Sequence, residues 1–120
     1  MTEWRVVIPV TSPLSMNARD HWAVKAKKVA VIRDSVAWMA RAERIPALDK
    51  IGVTLFYIPK VPRIRDADNL VATLKPACDG LVDAGVVPDD VPEFMVKSMP
   101  VILPIEAECK QRVYLMVYEL

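Results

Sequence analysis

Residues 50–58 read Lys-Ile-Gly-Val-Thr-Leu-Phe-Tyr-Ile, and this segment decides the fold of the chain. Its residues are mostly β-branched or aromatic, and structure-breaking residues bound it, which predicts a β-strand. Outward from it, residues 3–10 predict a short strand before it. Residues 93–103 and 111–119 predict two more strands after it, the last with alternating polarity. We therefore expect about four strands.

The first of two predicted helices lies between the first two strands. It runs from Asp20 or His21 to about Glu43 and ends before Pro46, because the residue preceding a proline disfavours the α conformation. Trp22 and Trp38 are interpreted as core residues rather than stacking platforms. The predicted core-facing stripe has helical spacing and consists of Trp22, Val29, Ile32, Val36 and Met39.

The second predicted helix follows the 50–58 strand. It begins between Asp66 and Asn69 and ends before Gly85, a typical left-handed C-terminal cap. Pro76 lies inside it and removes one backbone hydrogen bond, so a kink or a break into two pieces is expected. The element order β-α-β-α-β-β then predicts an α/β (mixed α+β) domain, with one mixed sheet covered by two main helices.

The composition indicates a single globular domain spanning residues 1–120. The chain is 53% hydrophobic and 26% charged, as is usual for such domains. No apolar run approaches the roughly 20 residues that a membrane span needs, and the N-terminus lacks the pattern of a secretion signal. Cys78 and Cys109 suit neither a metal site nor a dense disulfide framework. A reducing, cytoplasmic location is therefore expected.

The two halves of the chain carry opposite charge. Residues 1–65 contain 12 Lys/Arg against 5 Asp/Glu, whereas residues 66–120 contain 4 against 10, and the net charge is only +1. A basic half can neutralise phosphates while an acidic half collects metal, which fits nucleic-acid chemistry. The alternative is that both sets of charges are ordinary solvated surface.

Residues 59–90 contain the residues with the strongest functional signal. Pro59 to Arg65 hold two prolines and three cations, which predicts a projecting basic loop. Asp66 and Asp68 follow it, and Asp89 and Asp90 follow the second helix. Carboxylates that are brought together repel one another unless a cation neutralises them, and magnesium needs only one or two carboxylates with waters and phosphate oxygens.

Structural interpretations compete with this metal site. Asp66 and Asp68 are also favoured as helix caps, and Asp89 and Asp90 occur commonly in solvated turns. Sequence alone does not show whether the loop after the second helix doubles back to bring Asp90 near Asp66. Lys75 could contact phosphate, stabilise a leaving group or lie on the surface.

Other chemistries fit the sequence poorly. An EF-hand beginning at Asp66 would need glycine where Val71 stands. His21 is the only histidine, and its position at a helix start does not indicate a catalytic triad. A Gly-rich phosphate loop is absent, because the chain has three glycines and no Gly-Lys pair.

Over nearly its whole length the chain resembles the RusA-type Holliday-junction resolvases, small and largely phage-derived endodeoxyribonucleases. The loose part of the match is the Pro-Leu-Ser-Met-Asn-Ala-Arg loop at 13–19. The specific part is Arg-Asp-Ala-Asp-Asn-Leu at 65–70, followed by Lys75, Asp79-Gly80-Leu81, Ala84-Gly85-Val86 and Asp89-Asp90. The spacing from Leu70 to Lys75 is about three residues longer than in the family pattern.

This resemblance implies a homodimer that cuts two opposing strands of a four-way DNA junction with Mg²⁺, in recombination and repair. It implies that Asp66, Asp68 and Asp90 are catalytic metal ligands and that Lys75 is the catalytic lysine. DNA-backbone contacts would come from Asn17, Arg19, Lys60, Arg63, Arg65 and Asn69. Two alternatives stay open, a non-catalytic junction-binding module and a magnesium-dependent hydrolase of nucleotides or small phosphate esters.

Overall fold

The protein was analysed as a computed structural model that describes residues 2–9, 22–60, 67–105 and 111–120, and the side chains of Asp68 and Asn69 fall outside the description. Five strands and two α-helices make up the described part, with a short 3₁₀ helix before the second α-helix. In chain order they are β1 (Glu3–Ile8), α1 (Trp22–Ala42), β2 (Ile51–Ile58), the 3₁₀ helix (Ala67–Leu70), α2 (Val71–Asp83), β3 (Met95–Lys97), β4 (Val101–Ile102) and β5 (Arg112–Glu119).

The strands form one mixed sheet with β2 and β5 at its centre. β5 pairs antiparallel with β1 on one side and with β2 on the other. β3 and β4 both pair parallel with β2, at residues 51–53 and 56–57 of that strand. The strand order is β1-β5-β2-β3, with β4 beside β2. The prediction of a mixed α/β fold with two helices is confirmed.

The strand predicted over residues 93–103 is two short strands, so the sheet has five strands rather than about four. Residues 98–100 separate β3 from β4, and Pro100 has no N–H to donate to the ladder. The backbone N–H of Ser98 still bonds the carbonyl of Val53 at 3.0 Å. The segment 95–102 therefore runs alongside β2 and pairs with it in two separate stretches, at residues 51–53 and 56–57 of β2.

Helix α1 ends at Ala42, so its predicted end near Glu43 is confirmed, whereas its predicted start at Asp20 or His21 lies outside the described residues. The predicted core positions of Trp22 and Trp38 are wrong. Their side chains are 76% and 66% exposed. Residues 22–31 are exposed apart from half-buried Val29, so the first turns of α1 contribute little to the core. Trp38 is two residues from buried Val36, about 200° around the helix. The buried residues of α1 are Ile32, Val36, Ala37 and Ala40.

The sequence predicted either a kink or a break into two pieces at Pro76. Helix α2 is continuous through Pro76, so the break does not occur. The proline ring is buried, and this burial offsets part of the lost backbone hydrogen bond. The change of helix type comes earlier, where the 3₁₀ helix gives way to α2 after Leu70.

Both helices pack on one face of the sheet and form a single core with it. Helices α1 and α2 approach closely at Gly80, where an added Cβ would lie 2.5 Å from the carbonyl oxygen of Arg33. The core includes Val53, Leu55, Leu115 and Val117 from the sheet and Ile32, Val36, Leu74, Ala77 and Leu81 from the helices. Within the described ranges, no helix is long and apolar enough to cross a membrane.

Candidate functional site

Four charged side chains from three elements meet beside the middle of α2. Lys75 and Asp79 belong to α2, Asp90 to the loop that follows it, and Lys97 to the end of β3. We call these four residues the lysine–aspartate cluster. The side chain of Asp90 is its least exposed member, at 14%.

The end of α2 turns the chain back towards this cluster. Gly85 has φ of 80°, and its N–H donates to the carbonyl of Val82 at 2.9 Å. The N–H of Val86 donates to the carbonyl of Leu81 at 3.1 Å, which completes a Schellman motif. The predicted left-handed cap at Gly85 is thus confirmed.

Burial of the residues after the cap fixes the path of the returning loop. Val86 and Val87 are both at most 2% exposed. The N–H of Leu48 donates to the carbonyl of Val86 at 2.8 Å, which ties the loop to the segment before β2. Asp90 therefore reaches Lys75, two turns before the end of the helix. The loop doubles back along α2 at least that far.

One carboxylate oxygen is the centre of the cluster. Oδ2 of Asp90 accepts hydrogen bonds from Nζ of Lys75 at 2.7 Å and from Nζ of Lys97 at 3.0 Å. Lys75 also donates to Oδ1 of Asp79 at 2.9 Å, one helical turn along α2. The two ammonium groups and two carboxylates make the cluster neutral overall.

These contacts fix the charge states of the cluster at neutral pH. Hydrogen bonds from Lys75 and then from Lys97 lower the pKa of Asp90 to about 2. Hydrogen bonds to Asp90 and Asp79 raise the pKa of Lys75 above its ordinary value. Asp90 is therefore an ionised oxygen donor, and Lys75 is a full positive charge.

Neighbouring residues have structural roles. Burial raises the pKa of the Cys78 thiol to about 12, so this buried, free cysteine is not a thiolate nucleophile at neutral pH. Oδ1 of Asp89 accepts the backbone N–H of Asp90 at 2.8 Å, which shapes the turn. Asp89 is exposed and orients the backbone of its neighbour.

The structure brings together two of the four expected catalytic residues, Lys75 and Asp90. Asp68 and Asn69 lie in the 3₁₀ helix that leads into α2, and Lys60 is exposed just after β2. The remaining expected residues lie outside the described part of the chain. They are Asn17, Arg19, Arg63, Arg65 and Asp66.

The donor chemistry of Asp90 fits a hard cation, because it presents an ionised carboxylate. It is the one expected ligand whose side chain is described. Among the described residues, no group of three or more His, Cys, Asp or Glu side chains is placed to hold a metal. Oδ2 of Asp90 already accepts hydrogen bonds from Lys75 and Lys97, so a cation on that oxygen would compete with the two lysines.

Lys97 is a member of the site that sequence reasoning missed. It lies on the same face of β3 as Met95, which belongs to the core, and it pairs in register with buried Val53. A lysine at an inward-facing strand position is uncommon unless it is paired. This inward-facing position could have indicated Lys97 from sequence. Strand β3 has only three residues, however, which is too few to show an alternating pattern of buried and exposed side chains.

Comparisons with known proteins do not assign a family. No family model matches the chain. The chain is 33% identical over 76 residues to an uncharacterized protein of Xylella fastidiosa (strain Temecula1), a match covering 59% of this chain and 50% of that relative. The chain thus matches about half the length of the curated relative.

Proposed function

We propose that this protein is a magnesium-dependent, cytoplasmic endodeoxyribonuclease that resolves four-way DNA junctions by paired nicks. In this proposal it acts as a homodimer in recombination and repair. The observation that carries the proposal is the 2.7 Å contact between Lys75 and Asp90. Fifteen residues separate the two in sequence, and both were expected at one site.

The lysine–aspartate cluster supplies groups suited to phosphodiester chemistry. Lys75 is 60% exposed at its side chain and remains charged, so its ammonium can turn from Asp90 to a phosphate oxygen. Lys97, 32% exposed, can hold Asp90 in position while Lys75 moves. Asp79 holds Lys75 from the other side, at 2.9 Å.

The proposed metal is held by Asp66, Asp68 and Asp90. When bound, Mg²⁺ stabilises negative charge on the phosphate and lowers the pKa of a coordinated water. The low pKa of Asp90 keeps this ligand ionised throughout the physiological pH range.

The proposed DNA contacts lie around the strand-to-helix connection between β2 and α2. Lys60 is exposed at its beginning, and Arg63 and Arg65 follow in sequence. Contacts of this kind with backbone phosphates position DNA without reading its sequence. Asn17, Arg19 and Asn69 complete the proposed set. A homodimer supplies two sites related by a two-fold axis, which suits two opposed nicks.

The test is cleavage of a synthetic four-way junction with magnesium by wild type, Asp90→Asn and Asp89→Asn. We expect Asp90→Asn to lose at least about 100-fold in rate, because its ligand charge is lost, a loss of about 2.7 kcal/mol in transition-state stabilisation. Asp89→Asn removes the same charge one residue away and keeps an oxygen for the turn, so it should retain wild-type activity.

Equal cleavage by wild type and Asp90→Asn, or no cleavage by wild type with any divalent metal, would sink the proposal. Lys75→Ala should also lose activity, and Lys75→Arg should not fully restore it, since a guanidinium has a different shape from an ammonium. A nucleotide panel serves as a parallel substrate set. Release of phosphate or pyrophosphate without junction cleavage would favour a small-molecule hydrolase.

A non-catalytic junction-binding module is the second candidate. The observation in its favour is that Oδ2 of Asp90 accepts hydrogen bonds from two lysines, which satisfies its charge within the chain. This candidate predicts tight junction binding that weakens steeply with salt, and no nicking with magnesium or manganese. Measuring binding and cleavage on the same junction separates the two candidates.

A further inference from the structure

Lys75 pairs with two carboxylates that belong to different segments of the chain. Its Nζ donates to Oδ1 of Asp79 at 2.9 Å and to Oδ2 of Asp90 at 2.7 Å. The contact with Asp79 lies within α2, at the i, i+4 spacing of neighbours on a helix surface. The contact with Asp90 joins the helix to the returning loop. Lys75 can therefore leave Asp90 and still keep a carboxylate partner.

Asp90 has a second lysine partner that is anchored more firmly. Nζ of Lys97 donates to the same oxygen of Asp90 at 3.0 Å. Lys97 ends β3, and the N–H of the next residue, Ser98, donates to the carbonyl of Val53 in β2 at 3.0 Å. Its side chain is 32% exposed, against 60% for Lys75. Of the two lysines, Lys75 is therefore the one with more freedom to move.

A divalent cation at Asp90 opposes the ammonium group of Lys75. Hard cations bind carboxylate oxygens at about 2.0–2.6 Å, and the ammonium already lies 2.7 Å from Oδ2 of this carboxylate. Positive charges that share one carboxylate repel each other, and water screens this repulsion little around a side chain that is only 14% exposed. Cation binding therefore favours the release of Lys75 from Asp90.

A DNA phosphate favours the same release. The ammonium group has three donors and no fixed fork, so it can exchange one anionic oxygen for another without a demanding geometry. The side chain of Lys75 is exposed, which makes its ammonium accessible to a phosphate. Once Lys75 donates to a phosphate, Asp90 keeps only Lys97 of its two lysine partners and attracts a cation more strongly.

We propose that Lys75 couples the binding of a divalent cation at Asp90 to the binding of DNA phosphate. In the absence of both ligands, the Lys75–Asp90 ion pair disfavours a cation at Asp90 and holds the ammonium away from phosphate. Each ligand separates this pair, so each raises the affinity of the protein for the other, and by the same factor. This inference deepens the proposed function and rests on it for the two ligands, but not for cleavage.

The test measures how much calcium tightens the binding of a labelled four-way junction, by fluorescence anisotropy. Calcium chloride is the probe because Ca²⁺ is a hard cation that takes carboxylate ligands, and binding rather than cleavage is measured. The ionic strength is kept constant with NaCl, since phosphate contacts weaken with salt. We define the calcium factor as the Kd in EDTA divided by the Kd in calcium.

Wild type should have a calcium factor of at least about 5, the lower end of the usual coupling between two sites. Lys75→Met should lower this factor to less than about half of the wild-type value, because the shared ammonium is absent. Simple neutralisation of Asp90 by calcium predicts the reverse, a larger factor in Lys75→Met, since the carboxylate has then lost a cationic partner. Lys75→Gln is a second variant with the same expectation. Lys75 is exposed on α2, so circular dichroism should show wild-type folding for both.

Lys97→Met is the matched control. It removes an equal charge from the same oxygen of Asp90 but leaves Lys75 in place, so its calcium factor should be at least that of wild type. Lys50→Met removes an exposed lysine just before β2 and should have the wild-type factor. General effects of calcium on DNA are common to all these proteins and cancel in the comparison.

A calcium factor in Lys75→Met that equals or exceeds that of wild type overturns the inference. So does a wild-type factor of about 1, or a loss of the factor in Lys97→Met as large as in Lys75→Met. Failure of the proposed function gives a different result. Junction binding with the expected calcium factors but without cleavage in magnesium refutes the nuclease and supports the coupling, whereas absence of junction binding refutes both.

Discussion

Oδ2 of Asp90 lies 2.7 Å from Nζ of Lys75, and the same oxygen lies 3.0 Å from Nζ of Lys97. The three side chains come from a loop, a helix and a strand, so one carboxylate joins three elements beside the candidate site. The pKa of Asp90 therefore depends on its hydrogen bonds to both lysines. This makes the geometry testable in solution without any assumption about substrate.

We predict that Lys75→Met raises the pKa of Asp90 from about 2 towards its ordinary value of 3.8. The hydrogen bond from Lys75 is the largest cause of the lowering, so Lys97→Met should raise this pKa by a smaller amount. The pKa of Asp90 in each variant is measured from carboxyl ¹³C chemical shifts, followed by NMR over pH 1.5 to 6. An Asp90 pKa unchanged in Lys75→Met would contradict the contact.

The same contact predicts how stability depends on pH. Because folding lowers the pKa of Asp90, its ionised form contributes stability above about pH 3.8, and this is lost as the pH falls towards 2. The free energy of unfolding should therefore drop less between pH 5 and pH 2.5 in Lys75→Met than in wild type. Urea unfolding at the two pH values checks this, and an equal drop would count against it.

We predict that Gly80→Ala destabilises the fold. Its Cβ would lie 2.5 Å from the carbonyl oxygen of Arg33 and 2.9 Å from Cβ of Val36. Separating α1 from α2 should cost about 1–3 kcal/mol, more than the gain of up to about 1 kcal/mol in helix propensity. Chemical denaturation measures the difference, and a stabilised variant would show that the helices are not so close.

The other glycines are the controls for that substitution. A Cβ at Gly52 meets Leu120 at ordinary van der Waals distance, 3.5 Å, so Gly52→Ala should change stability by less than about 0.5 kcal/mol. Gly85 has open space but a φ of 80°, so Gly85→Ala should cost about 1 kcal/mol through backbone strain. The expected order of destabilisation is Gly80, Gly85, Gly52.

We predict that Arg44→Gly leaves stability unchanged or raises it by up to about 1 kcal/mol. Arg44 lies two residues after the end of α1, in the left-handed region, at φ of 56°. Relief of this strain, about 1–2 kcal/mol, exceeds the roughly 0.5–1 kcal/mol entropic cost of glycine. Ala42→Gly, at the last residue of α1, has no strain to relieve and should be destabilising. Thermal unfolding distinguishes the two, and a clear loss for Arg44→Gly would refute the prediction.

A bidentate ion pair joins the two helices. Nε and Nη2 of Arg33 donate to the two carboxylate oxygens of Asp83 at 2.6 and 2.8 Å, and Arg41 donates to the carbonyl of Asp83 at 3.0 Å. A double-mutant cycle with Arg33→Ala and Asp83→Ala should show favourable coupling that weakens in 1 M salt. Arg33→Lys should not restore it, because lysine lacks the planar fork. Zero coupling at low salt would contradict the geometry.

The sequence by itself determined the elements and their order. The β-branched run at 50–58, the helical spacing of Ile32 and Val36, and the glycine at 85 are local signals that depend on backbone chemistry. They predicted β2, α1 and the end of α2 with nearly the observed bounds. The expectation that Lys75 and Asp90 belong to one site came from the family resemblance, since the residues alone left both positions open.

The tertiary structure decided what local signals do not contain. Trp22 is exposed because the first turns of α1 contribute little to the core, and Trp38 is exposed because it faces away from buried Val36. Pro76 is accommodated in one helix because its ring is buried. The contact of Asp90 with Lys75 and Lys97 required the loop after Gly85 to return along α2. Burial of Val86 and Val87 sets that path, and such burial depends on the assembled core rather than on neighbours in sequence.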